Sequence, residues 1–285
     1  MGMIDYDASR DALYRPALRP TVFAAGRRYD VDAICAEAAR LAYLHFESDD
    51  AQRQQLVDAL ALVGLRDCVG FSDAATGSEA FAAIDANSGA PLVAFRGTEP
   101  GDLADLAIDV DARSVRWSGG GNVHAGFAIA FASLRGPIEN WLGASSANMQ
   151  ALTLTGHSLG AALATLAMSA WRAARLVTFG SPRVGDAQFV ATLDASACRR
   201  YVGCCDIVCR VPPPGHWYAD AAPMQYVDRA GVVHAAIDAE AVSADRDRAR
   251  IDYLRQFAAR PGNVLLRDFA DHAPINYVRA LLPPT

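Results

Sequence analysis

Lysine is missing from this chain: all 26 basic residues are arginine. A lysine Schiff base, a Ser–Lys dyad and a P-loop lysine are therefore excluded at once. Long apolar runs are missing too. No window approaches a membrane span, because Arg, Asp or Gly interrupts every apolar stretch. The first thirty residues hold no run long enough for the apolar core of a signal peptide. The expected location is the cytoplasm or a non-standard export route, or outside the cell if a leader precedes this sequence. Basic excess is absent: the net charge is −6, which argues against a nucleic-acid partner. The six cysteines include no C-x2-C pair. Cys198, Cys204, Cys205 and Cys209 are spaced C-x5-C-C-x3-C, without the paired spacing or nearby histidines of a zinc site. Reduced thiols that pack as small apolar groups are expected, with no metal.

What is present suffices for a sizeable core. At 52% hydrophobic and 20% charged, 285 residues read as globular, and no linker or internal repeat divides them. The expectation is one α/β domain over 1–285. Residues 1–29, with Pro16 and Pro20, read as an irregular arm. Helical spacing of apolar residues covers Tyr29 to Phe46, and Asp49-Asp50 can cap a second helix through Leu62. Cys68–Phe71 and Ala80–Ile84 read as strands, and Pro91–Arg96 as a short strand covered on both faces. Gly119-Gly120-Gly121 has no strand-to-helix frame around it and reads as a turn rather than a phosphate cradle. Phe127 to Leu142 reads as helix around Pro137, Ala174–Gly180 and Arg199–Gly203 as strands, and Met224–Val227 as a late edge strand. A charged helix over Ala239–Ala259 and a closing segment over Val278–Leu282 follow. Strands alternating with helices predict a mostly parallel central sheet with helices on both faces.

The chemistry concentrates in Leu152-Thr153-Leu154-Thr155-Gly156-His157-Ser158-Leu159-Gly160. This is an apolar strand, a G-x-S-x-G turn and an Ala/Leu-rich helix, the context of a nucleophile elbow. Glycines two residues either side of Ser158 fit a strained turn in which side chains there would strike the neighbouring strand and helix. A serine hydroxyl needs a base, and the base an orienting acid, in the chain order Ser, Asp, His. Asp206 follows the strand ending at Gly203, whereas Asp186, Asp194 and Asp220 lack a comparable strand before them. Of the later histidines, His272 sits in a short loop that can fold over the sheet edge. His216 lies too soon after three prolines, and His234 sits in an edge hairpin. His45, His124 and His157 precede the serine and read as structural. Oxyanion donors are expected from the Leu159 N–H and from Thr98, after the strand ending Phe95-Arg96.

Five blocks in this order resemble the fungal-type, or class 3, lipases of the α/β-hydrolase fold. They are Val93–Thr98, Val123-His124-Ala125-Gly126-Phe127, Gly156–Leu163, Thr178–Asp186, and Asp206-Ile207-Val208 running to Val211-Pro212-Pro213, with Asp271-His272 downstream. The resemblance implies Ser158 as nucleophile, Asp206 as acid, His272 as base, and Thr98 with Leu159 as oxyanion hole. It also implies a lipid or ester substrate at a lipid–water interface and no cofactor. Where the family often has Asn before the acid and Pro after the Asp-x-Val step, this chain has Cys205 and Cys209. By the same resemblance, residues 99–116 are the candidate lid segment, with Leu103 and Leu106 on one helical face. A phospholipase or a feruloyl or short-chain esterase would share the triad. A catalytically silent lipid-binding module is the alternative of another class.

Overall fold

The computed structural model describes residues 4–98, 113–145, 147–215 and 217–282. Leu103, Leu106 and His216 lie outside the described residues. The chain opens with helix α1 (Arg10–Tyr14), then α2 (Val31–Leu41) and α3 (Asp50–Ala61). Each starts at a side-chain cap: Ser9, Asp30 and Asp49 accept from backbone N–H groups of the first turn. Strands β1 (Leu65–Asp73), β2 (Ser78–Asp85) and β3 (Pro91–Phe95) form an antiparallel meander. A two-stranded ribbon of β4 (Ser114–Arg116) and β5 (Asn122–His124) leads into α4 (Ala125–Ala144).

The second half alternates: β6 (Thr153–His157), α5 (Leu159–Trp171), β7 (Arg175–Phe179), α6 (Ala187–Val190), β8 (Cys198–Gly203), β9 (Met224–Val227), β10 (Val233–His234), α7 (Ala239–Gln256), α8 (Arg267–Ala270) and α9 (Pro274–Leu281). The sheet order is β1-β2-β3-β6-β7-β8-β9-β10, with β3, β6, β7, β8 and β9 parallel. The expected mostly parallel sheet is therefore present. Strand side chains alternate between two cores. Phe81, Ala83, Leu92 and Ala94 face the core built with α2 and α9, while Ala80, Ala82, Val93 and Phe95 face the one built with α4 and α5. No helix among the described residues is long and apolar enough to cross a membrane.

Four expectations change. The arm at 1–29 is not irregular throughout. It holds α1 and a single 3-10 turn at Pro16–Leu18, and hydrogen bonds fasten it to a buried Arg40–Glu37 pair within α2. Helix α2 stops at Leu41 rather than Phe46, because Tyr43, Leu44 and Phe46 turn inward and become buried. Strand β9 is not the edge, since the two-residue β10 pairs outside it. Within the segment expected to form a lid, residues 114–116 are strand, paired across the Gly119–Gly121 turn.

Candidate active site

The C-terminal ends of β3, β6, β7 and β8 converge, as parallel strands with crossover helices require. Gly97-Thr98 follows β3, Ser158 follows β6, Gly180 follows β7 and Asp206 follows β8. Ser158 has φ 58° and ψ −126°, a strained conformation for a residue with a Cβ. The flanking glycines make it attainable. A Cβ on Gly156 would lie 2.3 Å from the Gly160 carbonyl, and one on Gly160 would lie 2.1 Å from the Phe95 carbonyl oxygen. The strand and helix thus approach closer than any side chain permits. Leu159 opens α5, so its N–H is among those the helix itself leaves unsatisfied.

Asp206 and His272 are in contact. The His272 Nδ1–H donates to Asp206 Oδ2 at 2.8 Å, and both side chains are almost completely buried. Asp206 also accepts from the Val208 N–H on Oδ1 (2.8 Å) and from the Tyr277 hydroxyl on Oδ2 (2.5 Å). Burial pushes the Asp206 carboxyl up. The charge of His272 and hydrogen bonds from His272 and Tyr277 outweigh it and hold the carboxyl below the usual range. An ionised Asp206 fixes the proton on Nδ1 of His272, so Nε2 keeps its lone pair. The pair is joined to the elbow through β7. The Ser158 N–H donates to the Phe179 carbonyl (3.0 Å), and a Cβ on the next residue, Gly180, would lie 3.0 Å from both Asp206 Oδ2 and His272 Nδ1. Gly180 adopts φ 60° and leaves the room those side chains occupy. Ser158 Oγ, His272 Nε2 and Thr98 Oγ1 are buried polar atoms without a hydrogen-bond partner among the described residues. Groups left in this state are costly unless a ligand completes them.

The rival carboxylates are engaged elsewhere. Asp186 caps α6 and binds Asn122, Asp194 caps a 3-10 turn, and Asp220 pairs with Arg183 and Arg200. His234 pairs with Asp228 in the β9–β10 hairpin, and His124 caps α4. Three contributors were missed in the sequence: Gly180, Tyr277 on α9 and Tyr43 after α2. The first was inside a quoted motif without a role, and nothing in the sequence marks the two tyrosines. All six cysteines are unpaired. Cys204, Cys205 and Asp271 bring metal-ligand-type atoms within 4.8 Å of one another. Asp271, however, already accepts from Tyr6, Arg267 and the Cys205 N–H, and the Cys204 thiol donates to Asp245.

Beneath Gly97, buried Arg96 pairs with Glu79 and lies 3.7 Å from Glu47. Burial pushes the Glu79 carboxyl up to about 7. Arg96 opposes that shift and the charge of Glu47 adds to it. Between the ordinary value of 4.5 and about 7 the folded chain therefore holds a proton that the unfolded chain releases. Stability should fall as pH rises through that window. Thermal unfolding of Glu79→Gln across it is expected to show a flatter profile than wild type. An identical slope in both proteins would rule Glu79 out as its source.

Residues 92–216 match the family model for class 3 lipases. Solved structures of similar fold include three fungal enzymes. The triacylglyceride lipase of Rhizomucor miehei is 20% identical, with a TM-score of 0.53, covering 69% of this chain and 77% of that one. The lipase from Rhizopus microsporus var. chinensis is 20% identical, with a TM-score of 0.55 and coverages of 80% and 84%. Lipase II from Rhizopus niveus is 22% identical, with a TM-score of 0.51 and coverages of 68% and 77%. These likenesses establish the α/β-hydrolase fold. The matched segment runs from β3 through the elbow to beyond Asp206, so the part of the chain that carries the candidate site is similar to the class 3 lipases.

Proposed function

We propose that the chain hydrolyses the ester bonds of acylglycerols through an acyl-enzyme on Ser158. The observation that carries this reading is the set of buried, unpartnered atoms: Ser158 Oγ on a strained turn and Nε2 of a histidine held by a buried aspartate. His272 Nε2 takes the Ser158 proton as Oγ attacks the ester carbonyl. Asp206 stays ionised and stabilises the imidazolium that forms. The tetrahedral oxygen is received by the Leu159 N–H and by the N–H and hydroxyl of Thr98. Each such donor is worth about 3 kcal/mol in the transition state. His272 then protonates the leaving alcohol. Water, activated by the same nitrogen, releases the fatty acid. Every proton in this scheme moves between atoms of the chain, the substrate and water.

The lipid substrate is supported by the similarity of residues 92–216 to class 3 lipases, and an apolar acyl chain suits a site with only a few convergent polar groups. The test is hydrolysis of p-nitrophenyl esters with acyl chains of two to sixteen carbons, below and above the critical micelle concentration. Long-chain turnover that rises on aggregation is the expected result. Turnover confined to short soluble esters would replace the lipase reading with an esterase. A folded protein inert toward every ester would remove the hydrolase reading and favour the silent lipid-binding module.

A further inference from the structure

His157 is 2% exposed and takes no part in the proton transfers above. Its Nε2 lies 2.7 Å from the backbone carbonyl oxygen of His272, and its Nδ1 lies 2.8 Å from the Tyr43 hydroxyl. A carbonyl oxygen only accepts, so Nε2 carries the proton. Nδ1 is then an acceptor and the Tyr43 O–H donates to it. Burial holds the His157 imidazole well below its ordinary pKa, with the charge of His272 acting in the same direction. Both favour the neutral ring this pattern needs. The His157 ring also leans on the His272 ring at 4.4 Å between centroids.

Tyr43 ties in a third segment. A Cβ on Gly97 would lie 2.0 Å from the Tyr43 hydroxyl and 2.8 Å from the His157 carbonyl oxygen. The two side chains therefore touch the turn that carries Thr98, the elbow that carries Ser158 and the loop that carries His272. These hydrogen bonds join positions 114 and 115 residues apart. They link segments that no secondary structure holds in register.

We propose that His157 is a positioning residue that sets the distance between Ser158 and His272, with Tyr43 holding its ring in place. This rests on the assignment of those two residues under Proposed function. Asp206 grips the far side of the His272 ring and leaves the ring able to pivot about that one bond. The His157 N–H pins the backbone at the other end. His157 is itself bonded covalently to Ser158, so one residue gauges nucleophile and base together. A displacement of about 1 Å between such groups costs about 100-fold in rate.

Two amides separate this role from simple packing. In His157→Gln the side-chain NH2 occupies the place of Nε2 and reaches the His272 carbonyl. In His157→Asn the amide sits at the place of Nδ1, reaching Tyr43 but not the carbonyl. Both lose the ring. The expected kcat of His157→Asn is about 100-fold below wild type with KM little changed, while His157→Gln recovers to within about tenfold. The downfield NMR proton of His272 Nδ1 should persist in the Gln protein and broaden in the Asn protein. Equal kcat in the two variants, or losses that simply follow their melting temperatures, would overturn the proposal. If neither variant folds, Tyr43→Phe decides, since it removes one oxygen and keeps its ring. Its kcat should drop about tenfold, the cost of about one hydrogen bond, and an unchanged kcat overturns the proposal. Ser158→Ala separates this inference from the reading beneath it. An active Ser158→Ala protein defeats the triad assignment. A dead Ser158→Ala protein beside a fully active His157→Asn protein defeats the His157 role alone.

Discussion

Ser158→Ala should lower kcat for ester hydrolysis by about 10⁶-fold, and Asp206→Asn by about 10⁴-fold, with the fold retained in each. The serine substitution removes the atom that forms the acyl bond, so only binding and the oxyanion donors remain. The aspartate substitution acts through hydrogen-bond direction. Asp206 accepts on both oxygens: from Val208 on one, and from His272 and Tyr277 on the other. An asparagine must aim its NH2 group at one of these donors. Turned toward His272, it forces the imidazole proton onto Nε2 and removes the lone pair that Ser158 needs. Turned toward Val208, it strands a buried backbone N–H. Steady-state turnover of a soluble ester, with circular dichroism as the control for folding, checks both values. An Asp206→Asn protein within tenfold of wild type would mean that another group orients His272.

Arg40→Leu should cost about 3–5 kcal/mol of folding stability, the usual loss when one partner of a buried ion pair is removed. Arg40 and Glu37 are 1% and 0% exposed and meet at 2.6 Å. The guanidinium also donates to the carbonyls of Pro16, Arg19 and Pro20, while Glu37 accepts from Thr21 and from the Val22 N–H. Leucine would leave a buried carboxylate with no cation and three carbonyls with no donor. The melting temperature should drop by about 10 °C, at a few degrees per kcal/mol for a chain of this size. The double change Glu37→Met with Arg40→Leu should be milder than Arg40→Leu alone, because no charge is then left buried. A single variant within 1 °C of wild type would show that water reaches the pair.

The elbow was legible because its constraint falls at fixed spacing. Gly156 is demanded by the Gly160 carbonyl within the strand–turn–helix, and Gly160 by the Phe95 carbonyl of the strand β3 beside it, so the spacing of the two glycines about the serine marks the turn. The contact between Asp206 and His272 was legible through order, Asp206 lying beyond a strand and His272 in a short loop ahead of the last helix. Tyr277 was not. Its bond to Asp206 spans 71 positions, and an isolated tyrosine in a terminal helix looks like any core residue. The arm was misread for a related reason. Pro16 and Pro20 suggested irregular chain, yet what orders that stretch is the donation by Arg40 to its carbonyls, which leaves no mark in the local pattern. The early end of α2 likewise came from tertiary demand. Burial of Tyr43 and Phe46 outweighed the helical spacing of the residues that carry them.

The threads joining the two ends of the described chain have a consequence for how the protein is made. Tyr6 donates to Asp271 across 265 positions, and Asp7 and Asn276 exchange two hydrogen bonds across 269, right beside His272. During vectorial synthesis the elbow can take shape as soon as its own strand and helix leave the ribosome. His272 cannot be seated until residues 271–276 return to Tyr6 and Asp7, which are translated well before them. Contacts this distant in sequence are the slowest to form. Ser158 is therefore in place on its turn before His272 can be brought to it, and the candidate site is completed only by contacts that span almost the whole described chain.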